Sequence, residues 1–301
     1  MAMIKVRRFD DASAPDLDGQ SGTLITVLDA VLVNGYGSKS ALGWTKAYSG
    51  TNKAAYRVDT TDGTGFYFRI DDSHGTYADV RGYETMTDVD TGGNPFPGTS
   101  AFRYIVKSDT ASSATRAWVM YGDNSGVWLI LYQTVSTLGS SSYAGAYYLG
   151  DFITRASGDT YNCLLAAHSG TTGFTYFPYF SSIGYAARKA DGTGAGGYNL
   201  IYMLKGPGGS SSYFGNDGIQ SATWNDEVLY ASIGGLSENS TGSQYRGDLP
   251  ALYQSMHDYV YMNNDEQYNQ FRYHYIRSGA GTGNPAGFFI DLGRDFRTYP
   301  R

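Results

Sequence analysis

The single cysteine and the four histidines are the residues best suited to nucleophilic or metal chemistry. Cys163 lies in the apolar stretch YNCLLAA, which is typical of a buried, unreactive thiol. No two histidines stand at the H-x-x-x-H spacing of a zinc site, and the four are dispersed along the chain: His74, His168, His257 and His274. The sequence therefore predicts no metal site. A serine triad built on His257 and Asp258 stays open, since triads are recognised by geometry.

Aspartates occur in close pairs within stretches that are typical of turns: Asp59 with Asp62, Asp71 with Asp72, and Asp88 with Asp90. Oxygen-rich turns can hold Ca²⁺, but none of these has EF-hand spacing. Asx turns, in which the side chain bonds its own backbone, explain the pairs more simply. Glycoside hydrolysis needs two carboxylates across a cleft, and no pair is singled out among Glu84, Asp88, Asp226 and Glu227. We expect neither catalytic residues nor a cofactor.

The segment GTGAGG at residues 192–197 matches the G-x-G-x-x-G fingerprint of dinucleotide-binding proteins. That fingerprint requires a helix whose N-terminus faces the pyrophosphate. The residues that follow, YNLIYMLK, have the character of a strand. The segment is therefore predicted to be a glycine-rich loop between strands.

The elements that would position these residues are mostly strands with an alternating pattern. In GFYFRID, Phe66, Phe68 and Ile70 fall on one face. RAWVMY and VWLILYQ flank the turn-forming cluster at residues 122–126, which predicts a hairpin. Further strands are predicted in AFRYIVK from Ala101, TYNCLLAA from Thr160, YNLIYMLK from Tyr198, EVLYASI from Glu227, FRYHYIR from Phe271 and GFFIDL from Gly287.

Two segments have helical character. Near the start, one apolar stripe has helical spacing, with Ser21 as the predicted N-cap and Asn34-Gly35 as the end: Leu24, Val27, Leu28, Val31 and Leu32. A shorter helix is predicted after Asp248, with Pro250 in its first turn and Leu252 and Met256 on one face.

These elements predict an all-β fold. We expect an antiparallel β-sandwich or jelly-roll-like sheets, with one N-terminal amphipathic helix and a short helix in the C-terminal half. A soft boundary near Ser169–Thr172 divides the chain into residues 1–170, the helix with a β-rich domain, and residues 171–301. The second part is either another β-rich domain or a continuation of the same sandwich.

Composition excludes several classes of protein. The 301 residues include 40 glycines and 28 tyrosines, while charged residues make up only 17%. A net charge of −6 with dispersed Lys and Arg offers no footprint for nucleic acid. We find no apolar run long enough to cross a bilayer and no signal peptide, and one cysteine makes no internal disulfide, so folding in a cytosol is expected.

Aromatic residues are the remaining signal of function. A candidate contact surface comprises Tyr176, Phe177, Tyr179 and Phe180. Such rings suit a protein interface, because tyrosine supplies large contact area at a small entropic cost, and they also suit stacking on sugars. The alternative is that these rings fill the core between two β-layers.

Several motifs, in order, resemble a family of virion-associated proteins of tailed bacteriophages, mostly of unknown function. They are NGYGSK at residues 34–39 with Gly43-Trp44, GFY at 65–67, RGYETM at 81–86, WVM at 118–120, GDF at 150–152, GDTYNC at 158–163 and RGDLPAL at 246–252. The resemblance covers most of the chain and is weaker over residues 169–241 and after residue 263.

The resemblance implies a non-enzymatic structural component of the particle at the neck or collar, on the head or in the tail. It implies location in the virion after folding in the bacterial cytoplasm, and contacts with other virion proteins and with copies of itself. No nucleic-acid or membrane partner is expected. The candidate interface or folding loop is formed by Asn34, Gly35, Tyr36, Gly37, Ser38 and Lys39. The alternative is a receptor- or carbohydrate-binding module of the virion that takes a host surface glycan.

Overall fold

The computed structural model describes residues 5–134, 144–171, 182–203, 230–232, 235–238, 245–250, 252–255, 273–277 and 287–291. Helix α1 spans Thr23–Leu28 and continues as a π-helical segment over Asp29–Asn34. The strands are β1 (Lys5–Arg8), β2 (Thr45–Gly50), β3 (Lys53–Arg57), β4 (Tyr67–Asp71), β5 (Tyr77–Asp88), β6 (Thr91–Phe96), β7 (Arg103–Val106), β8 (Trp118–Gly122), β9 (Gly126–Tyr132), β10 (Ala144–Asp151), β11 (Ile153–Thr154), β12 (Cys163–Ala166), β13 (Ser182–Ala186), β14 (Asn199–Met203), β15 (Tyr230–Ser232), β16 (Gly235–Ser237), β17 (Tyr245–Asp248), β18 (Leu252–Ser255), β19 (Tyr273–Arg277) and β20 (Gly287–Asp291).

The strands form three antiparallel sheets, so the predicted all-β class is confirmed. The six-stranded sheet has the order β2-β3-β4-β5-β6, and β7 pairs with the remaining length of β5. The ten-stranded sheet has the order β1-β8-β9-β10-β12-β13-β14-β16-β17-β11, and the four-stranded sheet has the order β15-β18-β20-β19. The ten-stranded sheet takes strands from both sides of residue 170.

The first core lies between the six-stranded sheet, helix α1 and one face of the ten-stranded sheet. The apolar stripe of the helix is buried there, as its spacing predicts. Phe68 and Ile70 of β4 face the same core, while Arg69 between them faces away. This alternation confirms the strand predicted in GFYFRID.

Strands β8, β9 and β12 of the ten-stranded sheet are buried on both faces. Trp118, Met120 and Leu129 belong to the first core, whereas their chain neighbours Val119 and Trp128 belong to a second core. Burial on both faces explains the near-continuous apolar runs of β8 and β9. The hairpin that they were predicted to form is confirmed, with Asp123 accepting hydrogen bonds from the backbone N–H groups of Ser125 and Gly126.

Seven strands of the ten-stranded sheet form a ladder that returns to the chain segment on which it starts, and we call this set of strands the closed ring. β10 pairs with β12, and the ladder continues through β13, β14, β16 and β17 to β11. β11 is separated from β10 by Phe152 alone, so the ladder returns to the segment on which it starts. Phe152, Leu164, Ile201 and Leu236, which come from segments of this ring, are buried in the second core.

The short helix predicted after Asp248 is wrong. Leu252–Ser255 form β18, which pairs with β15 on one side and β20 on the other. Two flanking strands outcompete a weak helical pattern of four residues, since each offers a backbone ladder. Met256 lies outside the described residues.

The predicted N-cap of α1 is also wrong. The Ser21 hydroxyl donates to the carbonyl of Ser73, and the residue at the N-cap is Gly22. The Asp72 carboxylate, 48 residues away along the chain, accepts the Leu24 N–H at 2.8 Å. Tertiary structure therefore supplies the acceptor that the local sequence was expected to supply.

Candidate functional site

The predicted loop from Asn34 to Lys39 forms a tight turn at the end of the π-helical segment. Tyr36 and Lys39 exchange two backbone hydrogen bonds around Gly37-Ser38, whose residues are exposed. Gly37 has a φ of +52°, and a Cβ there would lie 2.5 Å from the carbonyl oxygen of Ala12. Glycine is therefore required at this close approach.

Tyr36 anchors the turn to the body of the protein. Its hydroxyl donates to Asp11 at 2.8 Å, and its ring meets Trp118 edge-on at 6.2 Å. Lys39 forms an ion pair with the same carboxylate at 3.1 Å. Gly35 donates its N–H to Ala30, and Asn34 is exposed. The turn thus combines a folding role at Tyr36 with an exposed tip.

The predicted aromatic contact surface of Tyr176, Phe177, Tyr179 and Phe180 lies outside the described residues. It stays a prediction.

The six-stranded sheet provides a surface that sequence reasoning missed. Its outer face, the one turned away from the first core, comprises Tyr48, Lys53, Arg57, Tyr67, Arg69, Asp71, Asp79, Arg81, Tyr83 and Tyr104. Most of these side chains are half-buried, and they mix aromatic rings with charges. The signal that would have found the face is the alternation in YADVRGY at residues 77–83, where Ala78 and Val80 are buried.

One half of the outer face holds a compact ion cluster. Arg69 pairs with Asp71 at 3.0 Å and with Asp90 at 2.5 Å, and Lys53 reaches Asp90 at 3.0 Å. The hydrogen bonds from Arg69 and then Lys53 lower the pKa of Asp90. These contacts neutralise Arg69.

Arg81 stands directly opposite Arg69 on the next strand, an arrangement of like charges that is unfavourable by itself. Its Nε donates to the carbonyl of Ala101 at 2.9 Å, and its guanidinium lies 3.7 Å from the centre of the Phe102 ring. The Nη2 atom is buried and has no hydrogen-bond partner. A buried donor of this kind costs free energy, so an added acceptor would stabilise it.

Aromatic rings border the outer face. His74 stacks on Tyr77 at 4.3 Å, and Tyr77 meets Tyr104 edge-on at 5.6 Å. Tyr198 is 56% exposed, and it lies edge-on to Tyr185 at 6.0 Å. The segment GTGAGG at residues 192–197 is a loop, as predicted, and it leads through Tyr198 into β14.

Cys163 and Asp59, two of the residues considered for chemistry, have structural surroundings. Cys163 is fully buried, and burial raises the pKa of its thiol well above the ordinary value. Asp59 accepts the N–H groups of Thr61 and Asp62, which confirms an Asx turn. Among the described residues, no three His, Cys, Asp or Glu side chains are grouped to hold a metal ion. His257 and Asp258 lie outside those residues, and no described helix is long and apolar enough to cross a membrane.

Three buried or partly buried ion pairs join distant parts of the chain. Arg246 makes two hydrogen bonds to Asp159, at 2.8 and 3.0 Å, and both side chains are inaccessible. Arg188 makes two to Glu84, at 2.6 Å each, which connects the ten-stranded sheet to β5. The third pair is Lys107 with Asp72 at 2.5 Å. Of these three pairs, Arg188 with Glu84 joins the two sheets, whereas the other two join segments of one and the same sheet.

The motifs that carry the resemblance coincide with such junctions. Arg246 and Asp159 come from two of those motifs, and Glu84 comes from a third. The Gly82 backbone packs against the Phe96 ring. The RGD triplet at residues 246–248 is part of β17 and is buried, so it is not displayed as a recognition loop.

Comparison of this chain with protein-family models, with curated proteins and with solved structures finds no match. The class is therefore defined by the fold itself: an all-β protein of antiparallel sheets around two cores, with a short N-terminal helix.

Proposed function

We propose that this chain is a non-enzymatic structural component of a tailed-bacteriophage particle, at the neck or collar, on the head or in the tail. The observation that carries the proposal is the position of the resembling motifs at buried junctions. Arg246 with Asp159 and Glu84 with Arg188 tie together segments that are 87 and 104 residues apart. The resembling motifs therefore include residues that hold the architecture together. A structural protein of a particle acts through its architecture, so such residues matter to its function.

The outer face supports a role in assembly. Tyrosine and arginine side chains are enriched at protein interfaces, and Arg57, Tyr67 and Tyr48 lie together there, with Arg57 5.0 Å from the Tyr67 ring centre. We propose that this face contacts other virion proteins or copies of the chain. Repetition in a symmetric particle would multiply a modest contact.

Mass spectrometry of purified virions tests the proposal. We expect the chain among the particle proteins. A double variant, Arg57→Ser with Tyr67→Ser, should fold but be depleted from particles, whereas Asp62→Ala, an exposed turn substitution, should be incorporated normally. Absence of the unmodified chain from purified virions would refute the proposal.

A carbohydrate-binding role is the second candidate, and the cluster of His74, Tyr77 and Tyr104 favours it. These rings offer apolar faces with polar edges at the surface, beside the Asp79 carboxylate. Screening on a glycan array tests this role, with Tyr77→Ala as the variant that should lose binding. An array without any bound glycan would exclude it and leave the structural role untouched.

A further inference from the structure

The ion pair between Lys107 and Asp72 differs from the other lysine–aspartate pairs of the described chain. The Nζ atom lies 2.5 Å from Oδ1, and both side chains are 0% exposed. By contrast, the pair of Lys46 with Asp29 has the similar distance of 2.8 Å, but about a quarter of each side chain meets solvent. The Lys107 amine and the Asp72 carboxyl are therefore held together without water.

The surroundings of Asp72 would polarise its carboxyl group. The Leu24 N–H donates to Oδ2 at 2.8 Å. A donor on a carboxyl group stabilises the negative charge that develops on oxygen when a nucleophile adds to its carbon. Lys107 is oriented by the carbonyl of Gln20, at 2.5 Å from Nζ.

We propose that Lys107 and Asp72 form an intramolecular isopeptide bond, so that a covalent cross-link joins the segment after β4 to the segment after β7. This proposal is independent of the function proposed above. The site is a modification site whose only substrates are these two side chains.

The reaction is a condensation that needs no other reactant. The ammonium group first gives a proton to the carboxylate, which leaves a neutral amine beside a neutral acid. Nζ adds to Cγ, the Cγ–Oδ1 bond breaks, and Oδ1 leaves as water with two of the three ammonium hydrogens. The third hydrogen stays on the amide nitrogen. The Thr23 hydroxyl, whose Oγ1 lies 3.4 Å from Nζ, can relay a proton from the amine to the carboxyl group.

Burial favours the reactive forms of both groups. It raises the pKa of Asp72 to about 6, against the opposing influence of Lys107 and the backbone donors, and it lowers the pKa of Lys107. The negative charge of the nearby Asp18 carboxylate acts to raise the pKa of Lys107. The close approach of amine and acid in a water-free site also supplies the orientation that such a condensation needs.

Mass spectrometry of the purified full-length chain tests the cross-link. The intact mass should fall short of the sequence mass by one water. Tryptic digestion should release residues 70–81 joined to residues 104–116, since trypsin cannot cut after an acylated Lys107. The peptide containing Lys46 should be free, because that pair is solvated.

The variants Lys107→Met and Asp72→Ala should both have the full sequence mass. If either retains the loss of water, the dehydration lies elsewhere and the proposal fails. It also fails if the unmodified chain has its full mass and yields a peptide that ends at Lys107. The linked peptides of the unmodified chain decide the question even if neither variant folds.

Discussion

Buried charged side chains connect segments that are far apart in the sequence. Arg246 is 1% exposed, yet its donors are occupied by Asp159, the carbonyls of Tyr161 and Arg188, and Glu238. Its guanidinium also lies 5.1 Å from the centre of the Phe152 ring. A buried cation is tolerated only when its donors are satisfied in this way, so removal of one partner is costly.

Asp159→Asn is expected to destabilise the protein by about 1–3 kcal/mol, because Arg246 keeps Glu238 but loses the more deeply buried of its two counter-charges. Urea denaturation measures the change in the free energy of unfolding. Asp10→Asn is the matched control, since the pair of Asp10 with Arg8 is exposed and should contribute at most about 1 kcal/mol. Equal effects of the two substitutions would contradict the role assigned to Arg246.

Asp90 makes stability depend on pH in the acid range. Hydrogen bonds from Arg69 and Lys53 lower its pKa below the ordinary 3.8, so its contribution is complete above that pH and is lost as the pH falls through the lowered value. Relative to Asp90→Asn, the unmodified protein should be more stable at pH 7, and the difference should shrink below pH of about 4. Urea denaturation across this range measures it, and a constant difference would argue against the ion cluster.

Among the elements, β5 organises the six-stranded sheet. It has 12 residues and pairs with β4 along one side and with both β6 and β7 along the other. Gly82 at its centre allows the Phe96 ring of β6 to lie against the backbone. The inner face of the sheet therefore depends on the absence of a side chain at this position.

Gly82→Ala should cost about 1–3 kcal/mol, because its Cβ would lie 2.1 Å from the Phe96 ring and force that ring to move within a packed core. Thermal unfolding measures the loss. Gly50→Ala in β2 is the control, since its Cβ would meet neighbours at ordinary distances of 3.5 and 3.7 Å. A melting temperature unchanged by Gly82→Ala would mean that the ring has room to shift.

At the scale of the whole molecule, closure of the ten-stranded sheet links the two halves of the chain. Phe152 sits where β10 becomes β11, and its side chain is fully buried in the second core. Long-range pairs such as β11 with β17 can form only once both halves are in place. We therefore expect the closed ring to unfold as one unit.

Phe152→Ala should destabilise the protein by about 3–5 kcal/mol, the usual cost of removing a buried aromatic side chain. Hydrogen exchange should show β12 and β17 losing protection together. Phe66→Ala is the control, since Phe66 is only partly buried against the first core. Loss of protection confined to β11 and β17 would contradict closure as a cooperative unit.

The sequence alone determined the all-β class, the N-terminal helix and most of the predicted strands, because alternation and turn residues are local properties. It also determined the unreactive setting of Cys163, since apolar neighbours predict burial. It failed at Leu252–Ser255, where pairing with β15 and β20 overrides local preference, and it missed β5, although the alternation of residues 77–83 was available.

Only the tertiary structure decided which charges meet. Asp72 accepts a hydrogen bond from Leu24 of α1, 48 residues away in the sequence, and pairs with Lys107, 35 residues away. Glu84 pairs with Arg188, which is 104 residues away. The outer face and the closed ring likewise depend on register between strands far apart in the chain. Such contacts follow from the packing of whole sheets, so no short pattern of residues encodes them.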